Sequence, residues 1–164
     1  MRLAAPCLAA LAIGAATTAC RENSAWPPTH AAPMELGEDA CANCRMIISD
    51  QRYGAELLDR SGKAELYDDL GCLLGRTIRP GARAADPEAI FVRSFPDGKW
   101  IRGDRAFVVH ARGLSSPMGH GYAAFESLEA AHREAAKWSD AEVATLAEVL
   151  RHGVSALPGQ HTAP

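Results

Sequence analysis

The sequence predicts an α+β fold built from two small ββαβ-like lobes. Three observations predict it: short strand-like runs divided by turn residues, few long helices, and a weak internal repeat. In the repeat, Tyr67, Asp68, Asp69 and Leu70 align with Phe125, Glu126, Ser127 and Leu128, and each quartet stands between a strand and a helix.

The elements can be taken in order. Met46 to Asp50, Gly54 to Asp59 and Lys63 to Tyr67 read as strands, the last two joined at Ser61 and Gly62 as a hairpin. Leu70 to about Ile78 reads as a short helix. Ile90 to Phe95 alternates as a half-buried strand, turns at Pro96, Asp97 and Gly98, and returns over Lys99 to Arg102; Asp104 to Ala111 gives another strand. Leu128 to Trp138 reads as a helix in which Leu128, Ala131, His132 and Ala135 share one face. Beyond it the signals conflict. Ser139 with Glu142 looks like a capping box, and Val143, Leu146 and Leu150 fit a helix.

The chain has 164 residues, 48% of them hydrophobic and 23% charged, which supports a core and excludes wholesale disorder. A net charge of -3 with 17 scattered Lys and Arg offers no basic face for a phosphate backbone, so nucleic acid is excluded as a partner.

Residues 1–19 read as an export signal: Arg2, an apolar run from Leu3 to Ala16 broken only by Pro6 and Cys7, then small residues before Cys20. The run is shorter than the roughly 20 residues that span a bilayer. The small residues ahead of Cys20 are similar to a lipobox, with Thr17 where Leu is usual, which predicts lipidation at Cys20. The expected location is the periplasmic side of the cell envelope, lipid-anchored, with Arg21 pointing to the outer membrane. Residues 20–37, with Pro27, Pro28 and Pro33, read as a flexible tether, residues 38–152 as the domain, and residues 153–164 as a disordered tail.

The segment most specific to chemistry is CANCRM, where Cys41, Cys44 and Met46 gather three sulfurs within six residues. A CxxC alone also marks zinc sites, redox pairs and plain disulfides. Zinc sites rarely recruit methionine, whereas thiolate and thioether together suit Cu(I), so Met46 tilts the metal toward copper. A second sulfur, Met118, lies in SSPMGHGYAAF, where Pro117, Gly119 and Gly121 make a permissive loop. Core filling is the competing reading for Met118, and a solvated loop histidine the competing reading for His120 as a ligand.

CxxCxM, the strand pair ending in YDDLGC, WI followed by AFVV, and PMGHGYAAF occur in that order over roughly residues 38 to 150, behind the cysteine at 20. Together they resemble the NosL family of nitrous oxide reductase accessory lipoproteins. The resemblance implies two ββαβ lobes related to organomercurial lyase, a strand first in the stretch after residue 139, and a periplasmic copper chaperone that is not an enzyme. It implies one bound Cu(I), passed toward the NosDFY transporter complex and nitrous oxide reductase for assembly of the copper-sulfide centre. Its ligands fall on Cys44 and Met118, with Met46 as a third donor and Cys41 and His120 as further candidates. Arg45 stands where glycine is common in the family, which places a cation beside the site. Cys72 reads as a small apolar helix residue, and Asp68 and Asp69 as capping groups at the strand-to-helix junction.

Two readings compete from other classes: an envelope thiol-disulfide oxidoreductase using Cys41 and Cys44, and a metal-scavenging lipoprotein. Thioredoxin-like enzymes place CxxC at the start of a long helix, whereas Ile47, Ile48 and Ser49 are strand-like. A Cys41–Cys44 disulfide would remove a metal-binding thiolate, which predicts redox gating. No nucleophile elbow surrounds Ser115 or Ser116.

Overall fold

A computed structural model describes residues 26–78 and 85–152. The export signal, Cys20 and the tail from residue 153 lie outside the described residues. The first lobe opens with β1 (Ala55–Leu58) and β2 (Ala64–Tyr67), continues through α1 (Leu70–Thr77), and returns as β3 (Ile90–Arg93) and β4 (Trp100–Arg102). The second contains β5 (Phe107–His110), β6 (Tyr122–Phe125), α2 (Leu128–Ala135), β7 (Glu142–Thr145) and α3 (Leu146–His152).

Both sheets are antiparallel, in the orders β2-β1-β3-β4 and β6-β5-β7. The first strand of each ββαβ unit therefore lies between its hairpin partner and the strand that follows the helix. The quartets of the repeat occupy equivalent places. Tyr67 and Phe125 end β2 and β6, Asp69 and Ser127 are the N-caps of α1 and α2, and Leu70 and Leu128 are the first helical residues. The Asp69 side chain accepts from the Gly71 N–H and Ser127 from the Ala130 N–H, so each cap satisfies a donor that the helix itself leaves open.

Local chemistry explains the hairpins. Asp59 Oδ1 accepts from the backbone N–H of Ser61 and of Lys63, while Gly62 takes φ 81°. Between β3 and β4, Gly98 takes φ 68° and Asp97 accepts from the Lys99 N–H. Such positive φ angles are free of steric cost only for glycine.

Two expectations are corrected and one conflict is resolved. Met46 to Asp50 forms no strand; only an isolated bridge joins Ala40 to Ile47, because this segment turns back on its own loop instead of joining a sheet. The residues after 139 form β7 and then α3, the strand first as the resemblance implies, so pairing of Glu142 to Thr145 with β5 prevails over the capping-box signal. On α2, Leu128 and His132 are exposed while Ala131 is fully buried, since the helix presents its small residues to the sheet.

The lobes share one core. Leu70, Cys72, Leu73 and Leu74 of α1 pack in a single cluster with Val108, Ala124, Leu146 and Val149 from the second lobe. Backbone bonds cross the junction as well: Ser94 bridges Ala124, and the Phe95 N–H donates to the Ala124 carbonyl at 2.8 Å.

Part of the stretch read as a tether lies against the first lobe. The Ala32 N–H donates to Glu56 Oε1 at 2.9 Å, buried Met34 packs on Gly54, and the Arg60 guanidinium stands 4.9 Å from the Trp26 ring centroid.

Candidate metal centre

The CANCRM segment is a closed loop. Cys41 N–H donates to the Met46 carbonyl at 2.8 Å and Arg45 N–H to the Cys41 carbonyl at 3.0 Å, while the Ala42 N–H reaches the Leu66 carbonyl of β2 at 2.8 Å. The turn can close only if its last residue enters the left-handed region, and Arg45 does so with φ 67°. That is a place for glycine, which meets no Cβ clash there.

Docking on β2 brings the loop to the first turn of α1. The sulfurs of Cys41, Cys44 and Cys72 all lie within 4.8 Å of one another, and all three are free thiols. With metal–sulfur bonds of about 2.3 Å, a three-coordinate ion holds its sulfurs about 4 Å apart, so small side-chain rotations would close the cluster on one ion. Cys41 and Cys72 are buried and Cys44 is half-buried. Burial alone would push Cys41 up, but backbone hydrogen bonds at Cys44, Asp68 and Asn43 outweigh it and bring the thiol below its ordinary value. Burial raises Cys44, and burial together with the neighbouring Cys41 and Cys44 raises Cys72.

The second lobe contributes the loop between β5 and β6, which folds over the start of α1. Buried Asp69 holds it: Oδ2 accepts from Ser116 Oγ at 2.5 Å and from the Met118 N–H at 3.2 Å, while Oδ1 accepts from the Gly71 N–H at 2.6 Å. Met118 is thereby half-buried against the core cluster that contains Cys41 and Cys72. Exposed His120 has Nδ1 3.3 Å from Asp69 Oδ1. Gly71 is required for this approach, because a Cβ there would run into His120.

Met46 points elsewhere. It is 57% exposed and lines an open cleft of about 460 Å³ with Ile47, Tyr53, Asp68, Ser116 and Met118. None of the three cysteines lines that cleft. Met118 therefore lines the same cleft as Met46 and also packs against the core cluster.

Of the residues predicted from sequence, Cys41 and Cys44 come together with Cys72, Met118 packs against the wider core cluster and lines the cleft with Met46, and His120 is turned toward Asp69. Cys20 lies outside the described residues. Sequence reasoning missed two participants. Cys72 is buried, as expected of an apolar helix residue, but its sulfur also completes the thiol cluster. Asp69 caps α1, as expected, and also fastens a loop 47 to 49 positions away. The available signal for Cys72 was a third thiol placed by the Asp69 cap in the first turn of a helix; nothing in the sequence measured its approach to Cys44.

No curated protein matches the chain by sequence. Among solved structures, the crystal structure of the copper chaperone NosL from Shewanella denitrificans is similar, with a TM-score of 0.61 at 16% identity, covering 74% of this chain and 96% of that one. The NosL family matches residues 33–152, which is most of the chain and includes every element described above. The chain belongs to the NosL family.

Proposed function

We propose that the protein is a metallochaperone that carries one Cu(I) as cargo, on the periplasmic side of the envelope and anchored through a lipid at Cys20. It delivers copper toward the NosDFY transporter complex and nitrous oxide reductase for assembly of the copper-sulfide centre. The observation that carries the reading is the donor set: three thiols within 4.8 Å of one another, with Met118 packed against the core cluster that also contains Cys41 and Cys72. Soft sulfur donors select Cu(I) over harder cations and favour the reduced ion, which a carrier in an oxidising compartment must protect. The similar solved structure is a copper chaperone, which supports the same cargo.

The burial gradient suits a carrier more than a store. Cys41 and Cys72 lie inside and Cys44 is half-buried, so a client's ligands can replace the outer thiol before the inner ones. The oxidoreductase reading lacks its usual setting, because CxxC here closes a loop and does not begin a helix. Titration against a chromogenic Cu(I) chelator tests the proposal. The chain should take up one Cu(I), and Cys44→Ser should lose at least about tenfold in affinity, as loss of a thiolate donor demands. Unchanged affinity in both Cys44→Ser and Met118→Ala would contradict it.

A further inference from the structure

Met118 belongs to the second lobe and the cysteines belong to the first, so a mixed thiolate and thioether site exists only if something fixes one lobe's loop on the other's helix. We infer that Asp69 is the positioning residue that does this, holding Met118 in place as a copper donor without touching the metal. The inference rests on the Cu(I) reading above and goes beyond it by assigning a residue that contributes no ligand.

Three donors converge on the two oxygens of Asp69, whose side chain is fully buried. One oxygen serves the helix through Gly71, and the other serves the loop through Ser116 and Met118. The fastening extends along the loop: Ser116 Oγ accepts from the Gly121 N–H at 3.2 Å, and the Gly119 N–H donates to the Ser116 carbonyl at 2.9 Å. Gly119 and Gly121 take φ 71° and 72°, so the turn bends sharply on either side of His120, directly after Met118. His120 braces the same carboxyl group from outside, with one ring nitrogen directed at Asp69.

The chemistry requires a carboxyl group. Asparagine would still cap α1 through one oxygen. Its amide nitrogen would then replace the oxygen that faces Ser116 and Met118. The Ser116 hydroxyl can rotate to accept, but the Met118 N–H cannot, so the backbone beside the donor sulfur would lose its partner.

The test is a double-variant cycle read by Cu(I) chelator competition, with circular dichroism and thermal melting of the apoprotein as controls. Asp69→Asn should weaken Cu(I) binding about tenfold or more, the range seen when a residue that orients a metal ligand is changed. Met118→Ala should weaken it similarly, and the double variant should bind like Met118→Ala alone, because both remove the same donor. A merely structural role would give losses that add. Gly71→Ala, which displaces His120 and leaves Asp69 intact, should weaken binding in the same direction, and it decides the matter if Asp69→Asn does not fold. Wild-type affinity in the folded Asp69→Asn variant, additive losses in the double variant, or wild-type affinity in Gly71→Ala when that variant must decide would each overturn the inference. A wild-type chain that binds no Cu(I) would instead overturn the functional reading, and the wild-type control distinguishes the two failures.

Discussion

Arg45 shows how a single backbone angle ties sequence to site. The loop that presents Cys41 and Cys44 closes through its φ of 67°, where an L side chain crowds its own carbonyl. Arg45→Gly removes that crowding but makes the unfolded chain more flexible, so the net gain in stability should be modest, up to about 1 kcal/mol. Urea unfolding would measure it; an unchanged or lower midpoint would contradict the account. At the same scale, Cys72 explains the limit of sequence reading. CxxC is visible because its sulfurs are neighbours in the chain, whereas Cys72 joins them only after α1 has packed beside β2. Asp69 was legible as a cap, since capping is local, and illegible as a clamp, since Ser116 and Met118 reach it only through tertiary structure.

Among the elements, β1 carries a buried acid, Glu56. Glu56 is fully buried, Oε1 is used by the Ala32 N–H, and Oε2 has no hydrogen-bond partner. Burial pushes its carboxyl group up from 4.5 to about 7, opposed by the Ala32 N–H and by Arg93. Because the folded value lies above the unfolded one, the protonated acid is the form that favours folding. This contribution is present below pH 4.5 and is lost as the pH rises through about 7. Glu56→Gln keeps an acceptor for Ala32 and never ionises, so its stability advantage over wild type should grow across that interval. Paired thermal melts would show it, and an advantage that is flat or shrinks with rising pH would contradict the assignment. The elements themselves were largely readable: the hairpin at Ser61 and Gly62, the turn at Pro96 to Gly98, and the matched caps Asp69 and Ser127 all rest on local chemistry. Met46 to Asp50 failed as a strand because an apolar alternation says nothing about whether a sheet edge is within reach. On α2 the predicted apolar stripe failed because the small residues Ala130, Ala131 and Ala135 make the close approach to the sheet, leaving Leu128 outside.

At the scale of the whole molecule, the repeat has diverged in function while keeping its topology. The first lobe supplies the three thiols, and the second supplies the Met118 loop and much of the shared core. On the proposed reading the donors come from both lobes, so the site should bind its cargo only when the lobes are docked. The central claim is that copper is held by sulfur drawn from both lobes. X-ray absorption at the copper edge of the chain loaded with one Cu(I) tests it most directly. The account predicts a first coordination sphere of sulfur alone, at about 2.3 Å, that loses one sulfur in Met118→Ala. A sphere containing nitrogen from His120, or a sulfur count unchanged by Met118→Ala, would contradict it.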